Sequence, residues 1–118
     1  EQVYNCVAGQ TTFHIDPHGY LQPCLLLPEP RHSLVSGSFA DGWARVLPAL
    51  RQRKAGAGNA CVRCEKRALC GLCPAIFTLE TGAAETRSQY LCELGEHRWA
   101  HIQHHLEKDT THVSDGIG

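Results

Sequence analysis

Seven cysteines in 118 residues dominate the chemistry open to this chain. Four of them form the run Cys61-x2-Cys64-x5-Cys70-x2-Cys73. Thiols this close in sequence must meet in space, and convergent thiolates are the ligands of zinc and of iron–sulfur clusters. Gly71 permits a tight turn between Cys70 and Cys73. Turn N–H groups directed at sulfur help to set a cluster's potential.

Cys6, Cys24 and Cys92 lie outside that run. The spacing Cys6-x12-Gly19-x4-Cys24 brings two thiols to the open end of one hairpin, and Cys92 falls on the last helix. Seven is an odd number, so a fully paired disulfide framework within one chain does not account for the set. The start of the chain has neither a basic region nor an apolar core of the secretory kind, which points to a reducing, cytoplasmic setting. Zinc would use four thiols and leave three, and structural zinc pairs usually sit on knuckles separated by a longer spacer. Two cubane clusters need eight ligands and use all seven, leaving one iron open or otherwise held. In two-cluster ferredoxins a similar run ends Cys-Pro and its last cysteine serves the other cluster. Cys73-Pro74 repeats that ending, so the four thiols of the run need not share one metal.

The elements that must position these thiols are short. Residues 11–24 read as a β-hairpin: Thr11-Thr-Phe-His-Ile15 alternates, Asp16-Pro17-His18-Gly19 turns, and Tyr20-Leu21-Gln22 returns. Pro23, Pro28 and Pro30 keep 24–31 extended. Ser38 caps a helix expected over about 39–54, with Phe39, Trp43, Val46, Leu47 and Leu50 near one face and Pro48 as a break within it. Residues 54–59 read as a flexible linker, the cysteine loop spans 61–73, and a short helix from about Pro74 ends at Thr81-Gly82. A final helix is expected over about 88–107, its apolar side interrupted by Gly95, with a flexible tail at 109–118. The predicted fold class is α+β, small and metal-stabilised. An N-terminal hairpin is followed by helices and cysteine-rich loops around two cluster sites, with residues 1–108 forming one domain. A net charge of −1 and a pI near 6.8 argue against a nucleic-acid surface. No apolar stretch approaches the roughly 20 residues of a membrane span. A chain that opens on Glu1 and contains no methionine reads as part of something longer.

Taken whole, the pattern Cys6-x12-Gly19-x4-Cys24, Cys61-x2-Cys64-x5-Cys70-x2-Cys73, Cys92 resembles the seven-cysteine SPASM domain. That domain forms the C-terminal part of radical S-adenosylmethionine enzymes that mature peptides and proteins. The likeness runs over residues 6 to 98 and includes Phe13-His-Ile-Asp-Pro-His-Gly-Tyr-Leu-Gln-Pro-Cys24, Trp43 and Cys73-Pro74-Ala75. Gly71-Leu72 stands where the family more often has three residues. The resemblance implies two [4Fe–4S] clusters that serve electron transfer, substrate contact or both. Cys61, Cys64, Cys70 and Cys92 would hold the outer auxiliary cluster, and Cys6, Cys24 and Cys73 the inner one. Where some members supply a further cysteine between the first two, this chain has Thr11, Thr12, His14, Asp16 and His18. The Cys-x3-Cys-x2-Cys motif of the radical-generating barrel is not in this sequence. The resemblance therefore places S-adenosylmethionine on an upstream barrel domain and makes this chain inactive alone, with no catalytic residues of its own. The implied partners are that barrel, a peptide or protein substrate, and a redox donor such as flavodoxin or ferredoxin.

Other residues carry weaker signals. His97, His101, His104 and His105 share the last helix at one-face spacings, which suits either a metal pair or a solvated face. His14 and His18 flank the hairpin turn, within reach of the inner site or simply solvated. Trp43 and Trp99 read as core anchors, and Arg63, Lys66 and Arg67 either offset cluster charge or solvate a loop. Two rival functions stand beside the cluster domain: a zinc-stabilised structural or interaction module, and a free-standing ferredoxin-like electron carrier.

Overall fold

The turn Asp16–Gly19 organises the N-terminal half. The Asp16 carboxylate accepts the N–H groups of His18 (2.9 Å) and Tyr20 (3.0 Å), and Gly19 takes a φ of +84°. These bonds close a hairpin of β1 (His14–Ile15) and β2 (Tyr20–Gln22), in register His14 with Gln22 and Ile15 with Leu21. The computed structural model describes residues 1–117, residues 110–117 by backbone alone. It adds to the expected hairpin a third antiparallel strand, β3 (His32–Ser33), paired with β2. The intervening segment is not simply extended: Cys24 and Leu27 bridge across a tight turn, and the chain then doubles back to deliver β3.

Ser38 caps the following helix, its hydroxyl accepting the Asp41 N–H at 3.1 Å. The single helix expected over 39–54 is divided into α1 (Phe39–Asp41), a wide π-type turn (Gly42–Val46) and α2 (Ala49–Gln52). Pro48 stands at the head of α2, where its missing N–H removes the ladder bond that continuity would need. Gly42 is buried against His32 and Leu21, and an added Cβ would lie 2.8 Å from each, so this turn is also the close approach of helix to sheet.

Residues 54–59 are tied down rather than free. Ala55 donates to the Glu1 carbonyl (2.9 Å), and the Glu85 carboxylate accepts from the Gly56 N–H (2.8 Å) and Asn59 Nδ2 (3.1 Å). A 3₁₀ turn (Cys61–Arg63) and α3 (Arg67–Cys70) carry most of the cysteine run. Next comes α4 (Pro74–Thr81), with Pro74 in its first turn and Gly82 at φ +86° closing it. The last helix, α5 (Gln89–Ile117), stays helical past Glu107, into the stretch where a tail was expected. None of the described helices is long and apolar enough to cross a membrane.

The result is a small α+β fold in which one apolar cluster joins the two ends of the domain. Val3, Tyr4, Ala8, Leu27, Leu50, Ala75 and Ala84 pack together, drawing on the N-terminal segment, the post-hairpin turn, α2, α4 and the loop before α5. α3 lies on α5, the most extensive contact between elements.

Candidate metal centre

The seven thiols are all free. Cys61, Cys64, Cys70 and Cys92 line one cavity of about 360 Å³. Their placement is built locally. The Cys64 N–H donates to the Cys61 carbonyl (3.1 Å), which fixes the 3₁₀ turn, and Arg67 Nη1 donates to the Cys64 carbonyl (3.0 Å). α3 ends on Cys70, and Gly71 at φ +71° turns the chain toward Cys73. Ser88, also in the lining, caps α5: it is fully buried, accepts the Leu91 N–H (3.1 Å) and donates to Glu80 (2.5 Å). Cys92 sits one turn beyond that cap.

The electrostatics agree with four thiols sharing one space. Burial pushes the Cys61 thiol up, and Cys70, Cys64 and Cys92 push the same way, while Arg87 opposes them.

Cys24 and Cys73 pack against the apolar cluster described above. The Leu26 N–H points at Cys24 Sγ (3.4 Å), and buried Gln22 donates through Nε2 to the Cys24 carbonyl (2.8 Å). Burial raises the Tyr4 hydroxyl's pKa against the pull of Arg53, with exposed Cys6 and Cys73 near enough to push it the same way. Among the described residues, no group of three or more His, Cys, Asp and Glu side chains is arranged to hold a single metal ion.

The basic residues of the cysteine run divide. Lys66 lines the cavity, but its ammonium is held by Glu96 (2.8 Å) over the Trp99 ring (5.7 Å), and that bond raises its pKa. Arg63 turns to Glu1 (3.0 Å) and the Asn59 carbonyl (3.2 Å), and Arg67 to backbone. Arg87, which sequence patterning did not single out, lines the cavity instead, as do Glu85 and Gly95. Arg87 carried no local signal in the sequence, whereas a glycine inside an apolar helical pattern is itself a sign of close packing. Trp43 stacks on Phe39 (5.9 Å) and meets Phe13 edge-on (5.9 Å). His101 and His105 lie edge to face at 4.4 Å on an exposed stretch of α5, and His14 and His18 stay on the hairpin.

Compared with known proteins, the chain matches no family model, no curated protein and no solved structure.

Proposed function

We propose that this chain is an auxiliary iron–sulfur domain, resembling the SPASM domain, of a radical S-adenosylmethionine enzyme that modifies a peptide or protein. The observation that carries the reading is the cavity whose wall includes Cys61, Cys64, Cys70 and Cys92, four thiols drawn from two distant parts of the sequence. A cavity of about 360 Å³ is many times the roughly 30 Å³ share of one water, room that a cubane of four irons and four sulfides would use. Bound there, a [4Fe–4S] cluster supplies one-electron transfer.

The residues around it act in recognisable ways. Cys61, Cys64, Cys70 and Cys92 ligate, and Arg87 brings positive charge to the wall. Leu91 and Phe77 keep part of the lining apolar, which limits water and so tunes potential. Cys6, Cys24 and Cys73 form the second, inner set, with the Leu26 N–H directed at Cys24 sulfur. The radical chemistry and S-adenosylmethionine binding belong to a partner barrel. Anaerobic reconstitution with iron and sulfide tests this: a brown chain absorbing near 400 nm with about eight irons supports it. A colourless chain that takes up one zinc and no iron under the same conditions would overturn it in favour of a zinc-stabilised module.

A further inference from the structure

Glycine is the poorest helix former after proline, yet Gly95 sits within α5, where it is buried. Its surroundings explain it. A Cβ built on Gly95 would lie 2.8 Å from Cys70 Cβ and 3.2 Å from both the Cys70 Cα and its backbone nitrogen. Real Cβ contacts essentially never fall below 3.0 Å, and these atoms belong to or adjoin the backbone, so no rotamer change relieves the overlap. Sliding is blocked as well. Lys66 is tied to Glu96 (2.8 Å), and Arg98 donates to the Leu69 carbonyl (2.7 Å), so α3 is latched to α5 just beyond Gly95.

We infer that Gly95 is a positioning residue for the outer four-thiol set: its bare Cα lets Cys70 descend onto α5 beside Cys92, and any side chain there pries the set apart. The inference rests on the cluster reading above. It is distinguishable from an ordinary packing role because alanine acts in opposite directions on helix and site. Gly95→Ala should strengthen α5 as a helix while weakening the thiol set that α5 completes.

The test compares four anaerobically reconstituted chains: wild type, Gly95→Ala, Cys70→Ala, and His104→Ala as an exposed control on the same helix. Iron per chain, the electron paramagnetic resonance spectrum after reduction, and far-ultraviolet helicity are read on each. Gly95→Ala is expected to lose the same share of iron and the same spectral component as Cys70→Ala, about four of eight irons, with helicity equal to or above wild type. Iron loading and spectrum like those of the wild type would overturn the inference. So would loss of all iron together with helicity, which would make Gly95 a general folding requirement. A wild-type chain that binds no iron would instead overturn the cluster reading on which the inference stands.

Discussion

Ser88 connects the stability of the last helix to the integrity of the thiol cavity, and Ser88→Ala tests that connection. The side chain is 0 % exposed, so water cannot replace what the hydroxyl does. It accepts the Leu91 N–H at 3.1 Å, and an N-cap of this kind is worth about 1 kcal/mol, within a range of about 0.5–2. It also donates to Glu80 at 2.5 Å. Glu80 is solvent-exposed and recovers hydration when the hydroxyl goes, so this bond adds at most about 1 kcal/mol. The expected loss is about 1–2 kcal/mol, a fall of about 3–12 °C in Tm for a chain of this size. Urea unfolding of the iron-loaded chain, followed anaerobically by far-ultraviolet circular dichroism, measures it. Gln89→Ala on the exposed neighbour should cost no more than about 0.5 kcal/mol. Because Cys92 lies just after the cap, Ser88→Ala should also release iron to a chelator faster than Gln89→Ala. A Ser88→Ala stability within about 0.3 kcal/mol of wild type would refute the reasoning.

The inner set has three thiols, one of them the exposed Cys6, and should be the more labile: Cys6→Ala and Cys92→Ala should each lose about four irons, and the inner cluster left in Cys92→Ala should give up its iron to a chelator faster than the outer cluster left in Cys6→Ala, equal rates counting against that greater lability. Asp16 and Glu85 are both held below their ordinary values of 3.8 and 4.5, chiefly by N–H donation from Tyr20 and Gly56 respectively. Each therefore adds stability above those values that disappears as pH falls through the lower folded pKa, and Asp16→Asn with Glu85→Gln should flatten the acid limb of a stability–pH curve. Arg87→Gln removes a cation from the cavity wall and should lower the outer cluster's reduction potential, whereas Arg63→Gln, paired with Glu1, should not. Leu47 is 1 % exposed, and Leu47→Ala should cost about 3 kcal/mol in the same urea assay.

What the sequence made readable was whatever is written locally. Asp16-Pro17-His18-Gly19 spells its own turn, Ser38 its own cap, and Pro74 with Gly82 the two ends of α4. The cysteine spacing marked out Cys61, Cys64 and Cys70, which line one cavity with Cys92, whereas Cys73 of the same run packs against the apolar cluster instead. What stayed hidden depends on distant contacts. β3 is two residues long and exists by pairing with β2, so no periodicity announces it. Residues 54–59 have a linker's composition, yet they are pinned by Glu85, more than twenty-five positions away. The 39–54 helix has a continuous apolar face, but the close approach of Gly42 to His32 and Leu21, together with Pro48, divides it. Arg87 meets the cavity from the loop just before α5.

The central claim is that these cysteines hold two cubane clusters, and Mössbauer spectroscopy of the chain reconstituted anaerobically with ⁵⁷Fe, alongside chemical iron and sulfide analysis, tests it most directly. The account predicts about eight irons and eight sulfides per chain, with all iron in the quadrupole doublets of [4Fe–4S]²⁺. Iron at one per chain or fewer without sulfide, with zinc filling the thiols under the same anaerobic conditions, would contradict it.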